Sequence, residues 1–235
     1  ISELLSGRTR QNSNYGGPSL KNRSKFLLNI IDKINGKRQK EDGFILTSRL
    51  GIYDGMPYPY GFGINDEDSK FPAPVDLNEP IELIKKLYEK GIRLLNFSSG
   101  NPHYRPFLTR PYDVAAIEAH KAHEDPLYSC YRMIQNISNV KNQIPEDIVI
   151  IGSGYSYFRQ YGGYITAGLI ENKDVDICGF GRMAFANPEF PRQIFQNGVI
   201  DKKKVCITCS KCSALMREGK NTGCVIRDPK YKGLI

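Results

Sequence analysis

Apolar positions along the chain fall into two rhythms, one of helical and one of strand spacing. Phe26, Leu27, Ile30, Ile31 and Ile34 recur at helical spacing behind Ser19 as N-cap, predicting a helix over 19–34 that Gly36 and a basic loop end. A β-rich run, 43–50, reads as a strand. A second helix is predicted over 78–90, with Pro80 in its first turn and Gly91 just past its end. Strand patterns follow at 92–97, 148–151 and 175–178. Helical patterns follow at 126–140, 155–170 and 188–196.

Strands alternating with helices predict a parallel sheet with crossover helices. Four strands make either an open doubly wound sheet or half of a closed eight-stranded barrel, and periodicity leaves both open. Two connections are too long for ordinary βα turns. Residues 51–75 are rich in Gly, Pro, Tyr and Asp, and 98–113 contain Asn101, Pro102, His103, Tyr104, Arg105 and Pro106. Both read as functional loops.

Hydrophobic residues are 40% and charged residues 25% of the 235, ordinary for a globular protein. The longest apolar runs (26–31 and 148–152) fall far short of the roughly 18–20 residues that span a bilayer. No basic region followed by an apolar core opens the chain, but it starts at Ile1 and not Met, so absent targeting signals decide nothing. The net charge of +8 is spread over many segments, densest at 37–40 and 201–204. It reads as solvated surface, with anionic cofactor phosphates a secondary reason.

Cysteine placement changes the picture. Cys206, Cys209, Cys212 and Cys224 lie within 19 residues, while Cys130 and Cys178 stand apart. Such a cluster points to metal or cluster chemistry in a reducing compartment and away from a disulfide framework. Three thiolates spaced by two residues can wrap an iron–sulfur cluster, with a later cysteine binding the fourth iron. Zinc competes, since four-cysteine zinc sites also use C-x2-C pairs, although ribbons pair two such knuckles across a longer gap.

Two glycine turns follow consecutive strands, Gly152-Ser153-Gly154 and Gly179-Phe180-Gly181-Arg182. Such turns let backbone amides approach a phosphate, and Arg182 adds a bidentate donor. Together they match the phosphate site that barrels build after strands 7 and 8. Neither is a dinucleotide fingerprint, because Tyr157 and Ala184 stand where the third glycine is required.

Several segments then resemble one family. Residues 15–23 (YGGPSLKNR) are similar to the YGGS-x-ENR segment of the old yellow enzyme superfamily. Ser48-Arg49-Leu50 resembles its R-L-S strand end, and Gly181-Arg182 with Asn187-Pro188-Glu189-Phe190 its GR…ANPD/E segment. The cysteines narrow the resemblance to the iron–sulfur branch, the NADH:flavin oxidoreductases similar to 2,4-dienoyl-CoA reductase and trimethylamine dehydrogenase. It runs from Ile1 to Asp228.

The resemblance implies a (β/α)8 TIM barrel, of which this chain holds about the last four strand–helix units. Residues 1–200 would be the carboxyl-terminal part of an FMN-binding barrel, and 201–235 a four-cysteine iron–sulfur segment. Arg49 would sit at the N1/C2 side of the flavin, and Gly152, Ser153, Gly154, Gly181 and Arg182 would cradle the FMN phosphate. His103, matched across a one-residue gap, would polarise a substrate carbonyl or donate a proton. Cys206, Cys209, Cys212 and Cys224 would hold a 4Fe-4S cluster. Tyr15, Gly16 and Gly17 read as a structural turn, Tyr53, Tyr58, Tyr60 and Phe62 as an aromatic loop or pocket wall, and His120, His123 and Glu124 as surface.

The implied function is FMN-dependent transfer of hydride from NAD(P)H to an activated C=C or another acceptor, by a cytoplasmic enzyme. A small-molecule substrate is expected, with no nucleic acid or membrane as partner, and homo-oligomerisation is left open. Because four strands cannot close a barrel, this chain by itself should bind FMN poorly. The competing reading is a basic zinc-binding module, for which residues 202–211 supply charge without interleaved aromatics.

Overall fold

The computed structural model describes residues 2–38, 43–64 and 74–235. Among these, four strands form one parallel sheet in sequence order: β1 (Ser48–Gly51), β2 (Leu94–Ser98), β3 (Val149–Ser153) and β4 (Ile177–Gly179). In register, Arg49 lies opposite Asn96, Asn96 opposite Ile151, and Ile151 opposite Ile177. Side chains alternate along a strand, so this row shares one face, and Leu50, Phe97, Gly152 and Cys178 share the other.

The second face is the core. Helices α2 (Leu20–Asn35), α3 (Asn78–Glu89) and α5 (Pro126–Lys141) bring Leu27 and Ile31, Ile84 and Leu87, and Ile137 and Val140 against Leu50, Leu95, Phe97 and Ile150. Each such buried side chain contributes about 1.5–3 kcal/mol relative to an exposed one. On the first face Val149 and Ile177 remain 39% and 46% exposed. A doubly wound sheet carries helices on both faces, whereas here they pack on one, as in an opened barrel.

Local signals explain the helix ends. Asp125 caps α5 by accepting from the Leu127 amide, with Pro126 in the first turn. Gly91 adopts φ +87 just beyond α3. A short α1 (Ser2–Leu5) is held by Arg23, whose Nη1 donates to Leu5 O at 2.6 Å and whose Nη2 meets Glu79.

Several expectations need correction. The strand predicted over 43–50 is formed only from Ser48. Phe26 and Ile30 face outward, because the buried stripe of α2 runs through Leu20, Ser24, Leu27 and Ile31. The single helix over 155–170 is two elements. A 3-10 segment, Tyr155–Tyr161, breaks at Arg159 (φ 52, ψ −128), and α6 (Gly162–Glu171) follows. The break serves tertiary contacts, since Arg159 turns to Asp113 and Gly163 lies against Gly198 O, where a Cβ would stand 2.9 Å away.

Short helices were not signalled by periodicity: α4 (Pro106–Thr109) in the 98–113 loop and α7 (Gly181–Ala186) before α8 (Phe190–Asn197). A further one, α9 (Lys211–Arg217), carries Cys212. The basic run 37–40 and the loop 51–75 fall partly outside the described residues. Among the described residues no helix is long and apolar enough to cross a membrane.

Candidate active site

The carboxyl ends of β1, β2 and β3 place three polar side chains together. Arg49 Nη1 donates to Asn96 Oδ1 and, at 3.1 Å, to Ser153 Oγ, and Ser153 Oγ donates to Asn96 Oδ1 at 2.8 Å. Neighbouring strands in register put Arg49 beside Asn96, and the next strand's end brings Ser153. Asn96 had no sequence signal beyond its place in a strand.

These groups open onto a cleft of about 550 Å³, lined also by Arg110, Gly154, Gly181, Arg182 and Phe185. Three guanidinium groups therefore border one space at the strand ends, where α/β sheets bind ligands. Arg110 was missed because a lone Arg before Pro111 in a long loop carries no pattern. Its Nη1 meets Ser213 Oγ of α9. Burial, with the nearby Arg182 charge, lowers the Arg110 pKa from its ordinary value.

Of the six predicted cofactor residues, Arg49, Ser153, Gly154, Gly181 and Arg182 line this cleft, and Gly152 does not. A Cβ on Gly152 would stand 2.1 Å from Tyr155 Oη, so this glycine is required by packing behind the strand. Gly154 has φ +106, which favours glycine, and a Cβ there would meet the Met133 methyl at 2.5 Å. Gly181 is open, with nothing within 4 Å of an added Cβ.

Beside the cleft, Cys206, Cys209, Cys212 and Cys224 line one small pocket, together with Arg182, Phe185 and Ile207. Thr208 and Ser210 adopt positive φ (54 and 57), which coils the chain around the cavity, and the Thr208 amide approaches Cys206 Sγ at 3.4 Å. Among the described residues no three His, Cys, Asp or Glu side chains converge closely enough to hold one metal ion.

Burial raises the Cys206 thiol, opposed by the Thr208 amide and the Arg182 charge. Cys130 and Cys178 are separate: burial pushes their thiols up to about 12 and about 11, which leaves them inert. The cysteine segment is tied to the sheet layer through Asp113, which meets Arg159 and accepts from Thr208 Oγ1 at 3.1 Å.

Arg182 borders both spaces. Its Nη2 donates to Pro111 O at 2.7 Å, and its Nη1 is buried without a hydrogen-bond partner.

His103 lies on an exposed turn, its amide donating to Asn101 Oδ1 at 2.8 Å, and does not line the cleft. Tyr53 and Phe62 are core residues, whereas Tyr58 and Tyr60 line a separate recess of about 680 Å³ with Arg8 and Tyr104. A Cβ on Gly16 would stand 2.2 Å from Arg10 O, and Gly17 has φ +77, so the segment 15–17 is a tight turn. His120 Nδ1 sits 3.2 Å from Arg217, His123 packs edge-on against Phe107, and Glu124 pairs with Arg132.

No family model matches the chain. It is 25% identical over 224 residues to bilirubin reductase of Mediterraneibacter gnavus (strain CC55_001C), a match covering 92% of this chain and 29% of that protein. Among solved structures it resembles histamine dehydrogenase from Rhizobium sp. 4-9 (TM-score 0.63, 18% identity) and a 2-naphthoyl-CoA reductase (TM-score 0.63, 19% identity). Both matches cover 97% of this chain and 27% and 29% of those chains. The old yellow enzyme resemblance is borne out. The likeness to the solved structures is one of fold. The chain spans less than a third of the length of these three proteins.

Proposed function

We propose that this chain contributes the carboxyl-terminal half-barrel, residues 1–200, and the four-cysteine iron–sulfur segment, residues 201–235, of an FMN-dependent oxidoreductase. The observation that carries the reading is the adjacency of two spaces: an arginine-lined cleft at the strand ends and a cavity walled by four thiols, with Arg182 and Phe185 in both. The donor set fits both groups. Guanidinium fork and open glycine amides suit a phosphate. Three cysteines spaced by two residues, with a fourth lining the same pocket, suit a multi-iron cluster better than a single zinc ion.

Bound in the cleft, FMN would supply hydride and single-electron chemistry. Arg49, held by Asn96 and Ser153, presents fixed positive charge to an electron-rich ring edge without reorganising. Gly154, Gly181 and Arg182 would hold the phosphate, and Arg110 adds a further positive charge to the same wall. Cys206, Cys209, Cys212 and Cys224 would hold the 4Fe-4S cluster. His103 would supply a proton or polarise a carbonyl after its exposed turn approaches a substrate.

NAD(P)H is the proposed hydride source and a small molecule with an activated C=C the proposed acceptor. The names of the relatives, a bilirubin reductase and a 2-naphthoyl-CoA reductase, support a conjugated acceptor. Six cysteines without a disulfide support a reducing compartment, and the cytoplasm is the proposed location.

The test is anaerobic purification of the full-length reading frame, followed by an absorption spectrum and iron and zinc analysis. On the order of one flavin and about four irons per chain are expected. Stoichiometric zinc without flavin would replace this reading with the zinc-binding module.

A further inference from the structure

Arg182 stands apart from the other arginines of the cleft. Arg49 is bonded to Asn96 and Ser153 and touches the cleft alone, and Arg110 is turned to Ser213. Arg182 borders both the cleft and the thiol cavity. Its plane is fixed at one corner, where Nη2 donates to Pro111 O at 2.7 Å, yet Nη1 is buried with no acceptor. A buried guanidinium N–H without a partner is costly and rare, so an acceptor supplied by a ligand explains it. The two spaces it faces are the ones whose proposed occupants are anions, a phosphate and a set of cysteine thiolates.

We propose that Arg182 is a shared counter-ion, its guanidinium serving a phosphate in the cleft and the thiolates of the adjoining cavity at once, so that filling one site alters the other. This rests on the flavin and cluster reading above. Two physical consequences follow. An N–H directed at a cysteinate stabilises the more negative, reduced form of a cluster and so raises its potential. Coupling between two sites is reciprocal, so an anion in the cleft must alter the cluster by drawing on the same guanidinium.

The experiment uses the full-length protein, purified anaerobically, as wild type, Arg182→Gln, Arg182→Lys and Arg49→Gln. FMN affinity is measured by flavin fluorescence. The cluster midpoint potential is measured in flavin-free protein, with and without saturating inorganic phosphate. Arg182→Gln is expected to weaken FMN binding at least tenfold and to lower the potential by about 59 mV, the one-electron equivalent of a tenfold change in the oxidised-to-reduced ratio. Arg182→Lys, which keeps the charge and loses the fork, restores more of the potential than of the FMN affinity. Arg49→Gln weakens FMN binding and leaves the potential unchanged. Phosphate lowers the wild-type potential and leaves that of Arg182→Gln unmoved.

If Arg182→Gln moves only one of the two quantities, or neither, the sharing is overturned. Should that variant fail to load iron, a wild-type potential indifferent to phosphate overturns it equally. Wild type lacking iron or flavin sinks the underlying reading instead, so the two failures are distinguishable.

Discussion

Arg49 and Ser153 are 104 positions apart, yet Arg49 Nη1 donates to Ser153 Oγ across 3.1 Å, linking the ends of the first and third strands. The same Ser153 hydroxyl donates to Asn96, so the guanidinium is held from two sides by a closed set of three hydrogen bonds.

Replacing Ser153 by Ala removes one of those holds and leaves Arg49 free to swing. Flavin binding by the full-length protein is expected to weaken about five- to tenfold, the equivalent of one hydrogen bond of roughly 1–1.5 kcal/mol. The group sits on the open face, so the urea midpoint should barely move. Fluorescence titration and urea unfolding on the same samples check both halves.

Asp54 is a buried carboxyl that accepts from the Met56 amide at 2.9 Å and the Phe62 amide at 2.8 Å. Burial pushes its pKa up to about 7, against the lowering effect of those two amides. A raised carboxyl pKa means that the folded state binds the proton more tightly than the unfolded one. Its contribution is therefore full below the ordinary carboxylate value and is lost as pH rises towards about 7. Stability should fall by on the order of 1–3 kcal/mol across that window, and Asp54→Asn should flatten this part of the profile. Equal slopes for the two proteins in urea melts between pH 4 and 8 would rule the assignment out.

Gly154→Ala meets two obstacles, a backbone φ of +106 and a Cβ 2.5 Å from the Met133 methyl. A loss of about 2–4 kcal/mol is expected from strain and overpacking together. Gly181→Ala, with open space at its Cβ, should be nearly neutral in the same unfolding assay.

Glu124 and Arg132 form a buried ion pair, each side chain 9% exposed, and Ser129 adds a hydroxyl to the same carboxylate. Glu124→Ala takes the opposing charge away from a buried guanidinium and should cost about 3–5 kcal/mol. The exposed pair Glu189–Arg192 gives the contrast, with Glu189→Ala costing under about 1 kcal/mol. Calorimetric melts of the two variants would separate a buried pair from a solvated one.

Cys209→Ser should lower bound iron well below wild type while leaving the circular dichroism of the helices in place. Cys130→Ser, in the core and away from the cavity, should leave iron unchanged. Iron analysis of anaerobically purified full-length protein reads both. Loss of iron in both variants, or in neither, would remove the four cysteines from their proposed role.

The sequence by itself determined the alternation of strand and helix, and with it a parallel sheet. Hydrophobic period is a local property, written in residues such as Leu27 and Ile31 or Ile84 and Leu87. It also determined the grouping of Cys206, Cys209 and Cys212, because ligand spacing within a few residues survives any packing, and it flagged the two glycine turns. Periodicity left open whether the sheet was half a barrel; the motifs implied it, and the tertiary structure bears it out through which faces the helices cover. The tertiary structure also excluded Gly152 from the cleft, since the space that its missing side chain leaves belongs to Tyr155. It brought in Asn96 and Arg110, whose significance comes from strand register and from a loop folding back, neither of which leaves a local trace. It broke the helix at Arg159, where contacts with Asp113 outweigh local propensity. The placing of Arg182 between two cavities is likewise a property of the folded chain, because burial and partnership are set by segments distant in sequence.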